Sequence, residues 1–132
     1  MQTTDALLSR YQRIRTLLPM ATQIKLAPLI QRIRLSPHFL DQKAVERDIS
    51  RLFPRASPQQ ALILQFYALG KAVLDDDKNS LPAVQNQTDI STTQQMQIQK
   101  LMNERSQITE ALSNMLKDMQ QTQESIVQNI KS

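Results

Sequence analysis

The sequence predicts an all-α fold: a small N-terminal bundle of about four helices followed by one long, amphipathic, coiled-coil-like C-terminal helix. Three observations carry that expectation. Glycine occurs once and aromatic residues five times in 132 residues, while Leu, Ile, Ala, Gln and Met dominate, a mixture that favours helix over pleated sheet. Apolar residues recur at intervals of three and four, the period of a buried helical stripe. Prolines stand where such runs stop or start, and a chain of this length supports one modest core with an appendage.

The first helix starts at Thr4 or Asp5, either of which can cap it, and runs to about Leu18 with Leu7, Leu8, Tyr11, Ile14 and Leu18 on one side. Pro19 ends it. From Met20 to Leu35 the apolar set is Ile24, Ala27, Leu29, Ile30 and Ile33, and Pro28 in its middle predicts a short broken helix. Ser36–Asp41 reads as a turn, and Asp41 caps a third helix to about Phe53 with Ala44, Val45, Ile49, Leu52 and Phe53 inward. Ser57-Pro58 opens a fourth helix, cap residue followed by proline at the first helical position. Its apolar residues run nearly all round, from Ala61 to Leu74, so it is expected at the centre of the domain. Gly70 within it marks a close packing point or a bend.

Acids, amides and Pro82 then mark residues 75–91 as a polar flexible linker between a basic helical domain, 1–74, and the long helix, 92–131. Beyond Ser91 there is neither Pro nor Gly. Ile98, Leu101, Arg105, Ile108, Leu112, Met115, Met119, Thr122 and Ile126 follow at alternating steps of three and four, a coiled-coil-like seam. Met102, Leu116, Val127 and Ile130 widen it. A straight helix of that length extends about 60 Å, more than a domain this small can cover. The seam is therefore expected to bind a partner, either its own copies or another amphipathic helix, although packing of its first half on the N-terminal helices is the competing expectation. Methionines make such a stripe adaptable, and Arg105 and Thr122 within it are expected to set register.

Chemistry finds little to stand on. With no cysteine and one histidine, thiolate and ordinary zinc sites are excluded. His38 lies in the 36–41 turn without a partnered nucleophile and reads as a turn residue. Asp75, Asp76 and Asp77 are consecutive, whereas calcium loops alternate their carboxylates, so they read as linker. One glycine cannot make a phosphate-binding loop. A non-enzymatic protein without cofactor or metal is the expectation.

Charge is uneven. Residues 1–74 hold eleven Lys/Arg against four Asp/Glu, a net +7, residues 75–90 carry −3 and the remainder is neutral. A solvated basic face and an acidic partner or nucleic acid are both compatible with this. Arg47, Arg51 and Arg55, four apart, are the candidate anionic-partner face, and nucleic-acid binding through them is the alternative function. Prolines on both sides of this segment, in place of a tight glycine turn, do not match a groove-reading helix. No run of apolar residues is long enough to span a membrane, and Met1–Arg15 lacks the apolar core of a secretory signal, so a cytoplasmic protein is expected, exported only by a signal-peptide-independent system if at all.

Ser113-Asn114-Met115-Leu116-Lys117 and Ser125-Ile126-Val127-Gln128-Asn129-Ile130-Lys131 together resemble the C-terminal helix of type III secretion needle subunits. The spacing of the two blocks matches without a gap. The resemblance covers residues 113–131 alone and lacks the Pro-Ser-Asp-Pro-type turn and preceding short helix of that family. It implies a bacterial secretion-associated or filament-like component, or its adaptor or chaperone. Asn114, Lys117, Gln128 and Asn129, with Ile126 and Val127, would be the matching assembly positions.

Overall fold

The computed structural model describes residues 2–35, 42–75, 91–119, 121–122 and 124–130, with side chains from residue 6 onward. The turn at 36–41 with His38 and Asp41, and the linker from Asp76 to Ile90, lie outside the described residues. All seven described elements are helices: α1 Gln2–Leu17, α2 Met20–Leu35, α3 Gln42–Leu52, α4 Pro58–Leu74, α5 Thr92–Glu104, α6 Ser106–Asp118 and α7 Glu124–Gln128. No strand occurs among the described residues.

α4 is the axis of the molecule. Ser57 caps it with a reciprocal pair of bonds: Gln60 N–H donates to the Ser57 hydroxyl at 3.2 Å, and Ser57 N–H donates to Gln60 Oε1 at 3.0 Å. From Ile63 to Leu74 every residue but Lys71 is buried, and α4 contacts all six other helices. A helix apolar all round must be enclosed, which is why the others wrap it. The expected central position of this helix is thus observed.

α2 departs from expectation. It is one continuous helix that includes Pro28; proline cannot donate to the Ile24 carbonyl one turn back, and because both residues lie on the outward face, water can serve that acceptor. Its buried side consists of Thr22, Leu26, Leu29, Ile30 and Ile33. Ile24 and Ala27, expected among the helix's apolar contacts, point outward instead.

The single long C-terminal helix is also corrected, into three. Arg105 (φ −116°, ψ 54°) makes the first joint, and the second lies where α6 ends, with Thr122 N–H donating to the Met119 carbonyl at 3.0 Å. At the first, the Thr109 hydroxyl donates to the Met102 carbonyl at 2.9 Å, satisfying an acceptor that the break leaves without its helical partner. The Arg105 guanidinium leaves the seam and caps α4 through the Ala72 carbonyl at 2.9 Å. At the second, Arg10 of α1 donates to the Met119 carbonyl at 3.0 Å, and Thr122 donates to Gln59 at 2.8 Å. Gln60 reaches the Ile126 carbonyl at 3.2 Å and seats α7.

Folding at these joints wraps the seam around α4 and α1, so one core runs through all seven helices. The accessible surface, 7748 Å², is near the roughly 7,100 Å² of a compact monomer of this mass.

Candidate interaction surface

The residues expected to meet a partner are mostly inside. Ile98, Met102, Ile108, Leu112, Met115, Met119, Val127 and Ile130 are buried, and Leu101, Leu116 and Ile126 are half-buried against the same core. That correction has a plain cause: a seam of this size gains more by covering its own α4 and α1 than by remaining in water. The polar positions of the needle-subunit resemblance, Asn114, Lys117, Gln128 and Asn129, are exposed.

A buried polar cluster closes the C-terminal end of α4. Asp75 Oδ2 accepts from the Tyr11 hydroxyl at 3.0 Å and from Arg15 Nη1 at 2.9 Å, with Lys71 Nζ at 3.5 Å. The Arg34 guanidinium lies 3.3 Å from the Asp75 carbonyl and 3.4 Å from that of Lys71. Three arginines thus gather where the carbonyls of α4 end and the helix dipole is negative. The Tyr11 and Tyr67 rings stack at 5.8 Å and 12°. Burial, and then the neighbouring Asp75 charge, push the Tyr11 phenol well above its ordinary value and the Tyr67 phenol to about 12. Phenols held protonated donate hydrogen bonds, and that is the reverse of what a base or nucleophile needs. The cluster ties α1, α2, α4 and the α5–α6 joint together.

The outward face of α2 is different. At 3.6 residues per turn, Met20, Ile24, Ala27, Pro28, Gln31 and Leu35 fall within an arc of about 100°. All six are exposed, Met20 by 68%, Ile24 by 66% and Leu35 by 77%. These three are among the four large hydrophobic residues left in water among the described residues, and they lie along one stripe about 22 Å long. Comparison of the chain with protein-family models, curated proteins and solved structures finds no match. The surface must therefore be read from its own chemistry.

Charge borders the stripe on one side. Lys25 and Arg32 follow immediately round the helix; Lys25 Nζ lies 5.1 Å from the centre of the Phe53 ring, and Arg32 pairs with Asp48 of α3. Beyond Asp48 on α3, Arg51 lies about 60° and Arg47 about 100° round the helix, both toward solvent, whereas Glu46 lies about 160° away. On the opposite border Arg34 turns inward to the α4 carbonyls. Lys43, Arg47, Arg51 and Arg55 are exposed, and none pairs with an acid among the described residues. Of the arginines singled out from the sequence, Arg47 and Arg51 therefore lie on the side of α3 that continues outward from the Arg32–Asp48 pair, next to an apolar stripe whose outward direction the sequence alone does not settle. A signal for it existed: Met20, Ile24 and Leu35 are off the Leu26–Ile30–Ile33 face, so α2 is apolar on both sides.

Proposed function

We propose that the chain is a non-enzymatic helical interaction protein whose docking surface is the outward face of α2. The observation that carries this is the stripe of Met20, Ile24, Ala27, Pro28 and Leu35 on a helix whose opposite side already fills the core. A helix needs one apolar side to join a fold; a second, interrupted only by Gln31, exposes methionine, isoleucine and leucine to water at a cost that a covering partner removes. Among the described residues no group of His, Cys, Asp and Glu could hold a metal, and no helix is long and apolar enough to cross a membrane.

A photo-crosslinking residue placed at Ile24 or Leu35 of the full chain, in its native cells, tests the reading. Discrete adducts are expected there and not from Lys100, an exposed position on α5. Equal labelling from all three positions, or none from α2, refutes it. A secretion-associated or filament-like role, with Asn114, Lys117, Gln128 and Asn129 as contacts, is a narrower form of the same class of function. Nucleic-acid binding is a second reading, favoured by the exposed row of Arg47, Arg51 and Arg55, none of which pairs with an acid among the described residues, and it predicts steeply salt-dependent retention on a duplex.

A further inference from the structure

Resting on the α2 reading, we infer that the occupant of this face is an amphipathic helix of a partner protein with acidic residues along one edge, set against Arg47 and Arg51. The stripe has the spacing of a helix-on-helix contact, with large residues at Met20, Ile24 and Leu35 and small or short ones at Ala27 and Pro28 between them. The small centre lets a second helix approach closely, and the flexible Met20 adapts to its shape. An apolar ridge alone would accept any greasy helix.

The cations supply the discrimination. Lys43, Arg47 and Arg51 stand four apart on α3, an arrangement in which like charges repel and weaken the helix by a few tenths of a kcal/mol per pair. None of them forms an ion pair among the described residues, and Glu46, a neighbour of Lys43, lies about 100° round the helix from Arg47 and about 140° from Arg51. They flank the stripe on one side only, since Arg34 on the other is turned into the α4 terminus. A lipid surface is met by cations on both flanks of a lying helix. Duplex phosphates would engage the arginines and leave Met20, Ile24 and Leu35 wet. A helix that is apolar along its face and acidic along one edge covers both features together and also fixes its own direction along α2.

A displayed library of helical peptides decides this, with a constant Leu/Ile/Met face and edges randomised over acidic, basic and neutral residues. It is selected on the full chain and counter-selected on the Ile24→Asp variant. The expected survivors carry Asp or Glu along one edge. A synthetic peptide of the selected sequence should lose about five- to tenfold in affinity for Arg47→Glu/Arg51→Glu, and this loss should shrink with added salt. Survivors with neutral or basic edges overturn the acidic partner while leaving α2 as the docking face. Helices that, sampled before the counter-selection, bind Ile24→Asp as well as the parent chain overturn the α2 reading itself. Failure to enrich any helix overturns the inference, as does Ile24-dependent sedimentation with phosphatidylglycerol-containing vesicles in place of peptide binding. Both variants lie on the surface, and unchanged circular dichroism confirms that they fold.

Discussion

Replacing Gly70 by alanine sets two opposing effects of calculable size against each other. In the interior of α4, alanine is favoured over glycine by about 1 kcal/mol in helix propensity. Against that, a Cβ on residue 70 would sit 2.6 Å from Cδ1 of Tyr11, 3.2 Å from Cε1 and 3.4 Å from Cγ, inside the van der Waals contact of a ring carbon. Tyr11 has nowhere to retreat. It is fully buried, its hydroxyl is bonded to Asp75 at 3.0 Å, and its ring is stacked on Tyr67. Overpacking of a fixed core costs about 1–3 kcal/mol, and this contact lies toward the upper part of that range because the obstacle is a ring held at both ends. The expected net effect is a loss of about 1–2 kcal/mol, a fall in melting temperature of about 4–8 °C for a chain of this length. Thermal unfolding followed by circular dichroism measures it. Adding Tyr11→Leu should recover part of the loss specific to Gly70→Ala, a coupling read from the double-mutant cycle. A Gly70→Ala protein as stable as the parent or more so refutes the packing argument, because propensity would then have prevailed.

Two further outcomes follow from the same region. In the folded chain Tyr67 keeps its proton to about pH 12 and Tyr11 is also raised, whereas both ionise near 10 when unfolded, so the folded state holds more protons in that interval. Stability is therefore fully present below about pH 10 and falls as pH rises toward 12; urea midpoints across this range should show the decline, and Tyr67→Phe should flatten it, a slope unaltered by that change counting against the assignment. Arg105→Ala removes the guanidinium that caps Ala72 and should cost about 1–3 kcal/mol by urea denaturation with little change in helix content, so an unshifted midpoint would show the joint to be held by packing alone.

How far the sequence disclosed this architecture depended on whether the deciding signal was local. Ser57-Pro58 and the apolar run after it specify α4 without outside help, since cap, proline and a helix apolar all round each act within a few residues. The Ser57-to-Gln60 and Ser91-to-Gln94 capping boxes were equally readable, as both have the Ser-x-x-Gln spacing. The orientation of α2 was not. Its residues offer two apolar faces, and only the placement of α4 decides that Leu26, Leu29 and Ile33 go in while Ile24 and Leu35 stay out. Arg47, Arg51 and Arg55 were identifiable as a row, but the position of Arg47 and Arg51 beside the stripe depends on the Arg32–Asp48 pairing of two helices.

The C-terminal seam shows the same limit in sharper form. Its period of three and four is real, and the residues it names are the ones that become buried. Periodicity reports that a face is covered and is silent on what covers it. The inference of an external partner rested on the length of a straight helix, and straightness is what fails. Arg105 and Thr122, the two polar interruptions, coincide with the two joints: each directs its polar group out of the stripe to α4, Arg105 to its last turn and Thr122 to its first, and the backbone turns there. A polar residue in a coiled-coil seam can set register between chains or mark the point where one chain folds back on itself. The second outcome prevails here because α4 presents carbonyls at its end for an arginine to cap, together with an apolar flank long enough to receive α5 and α6. With that flank occupied, most of the large apolar side chains still exposed among the described residues belong to α2.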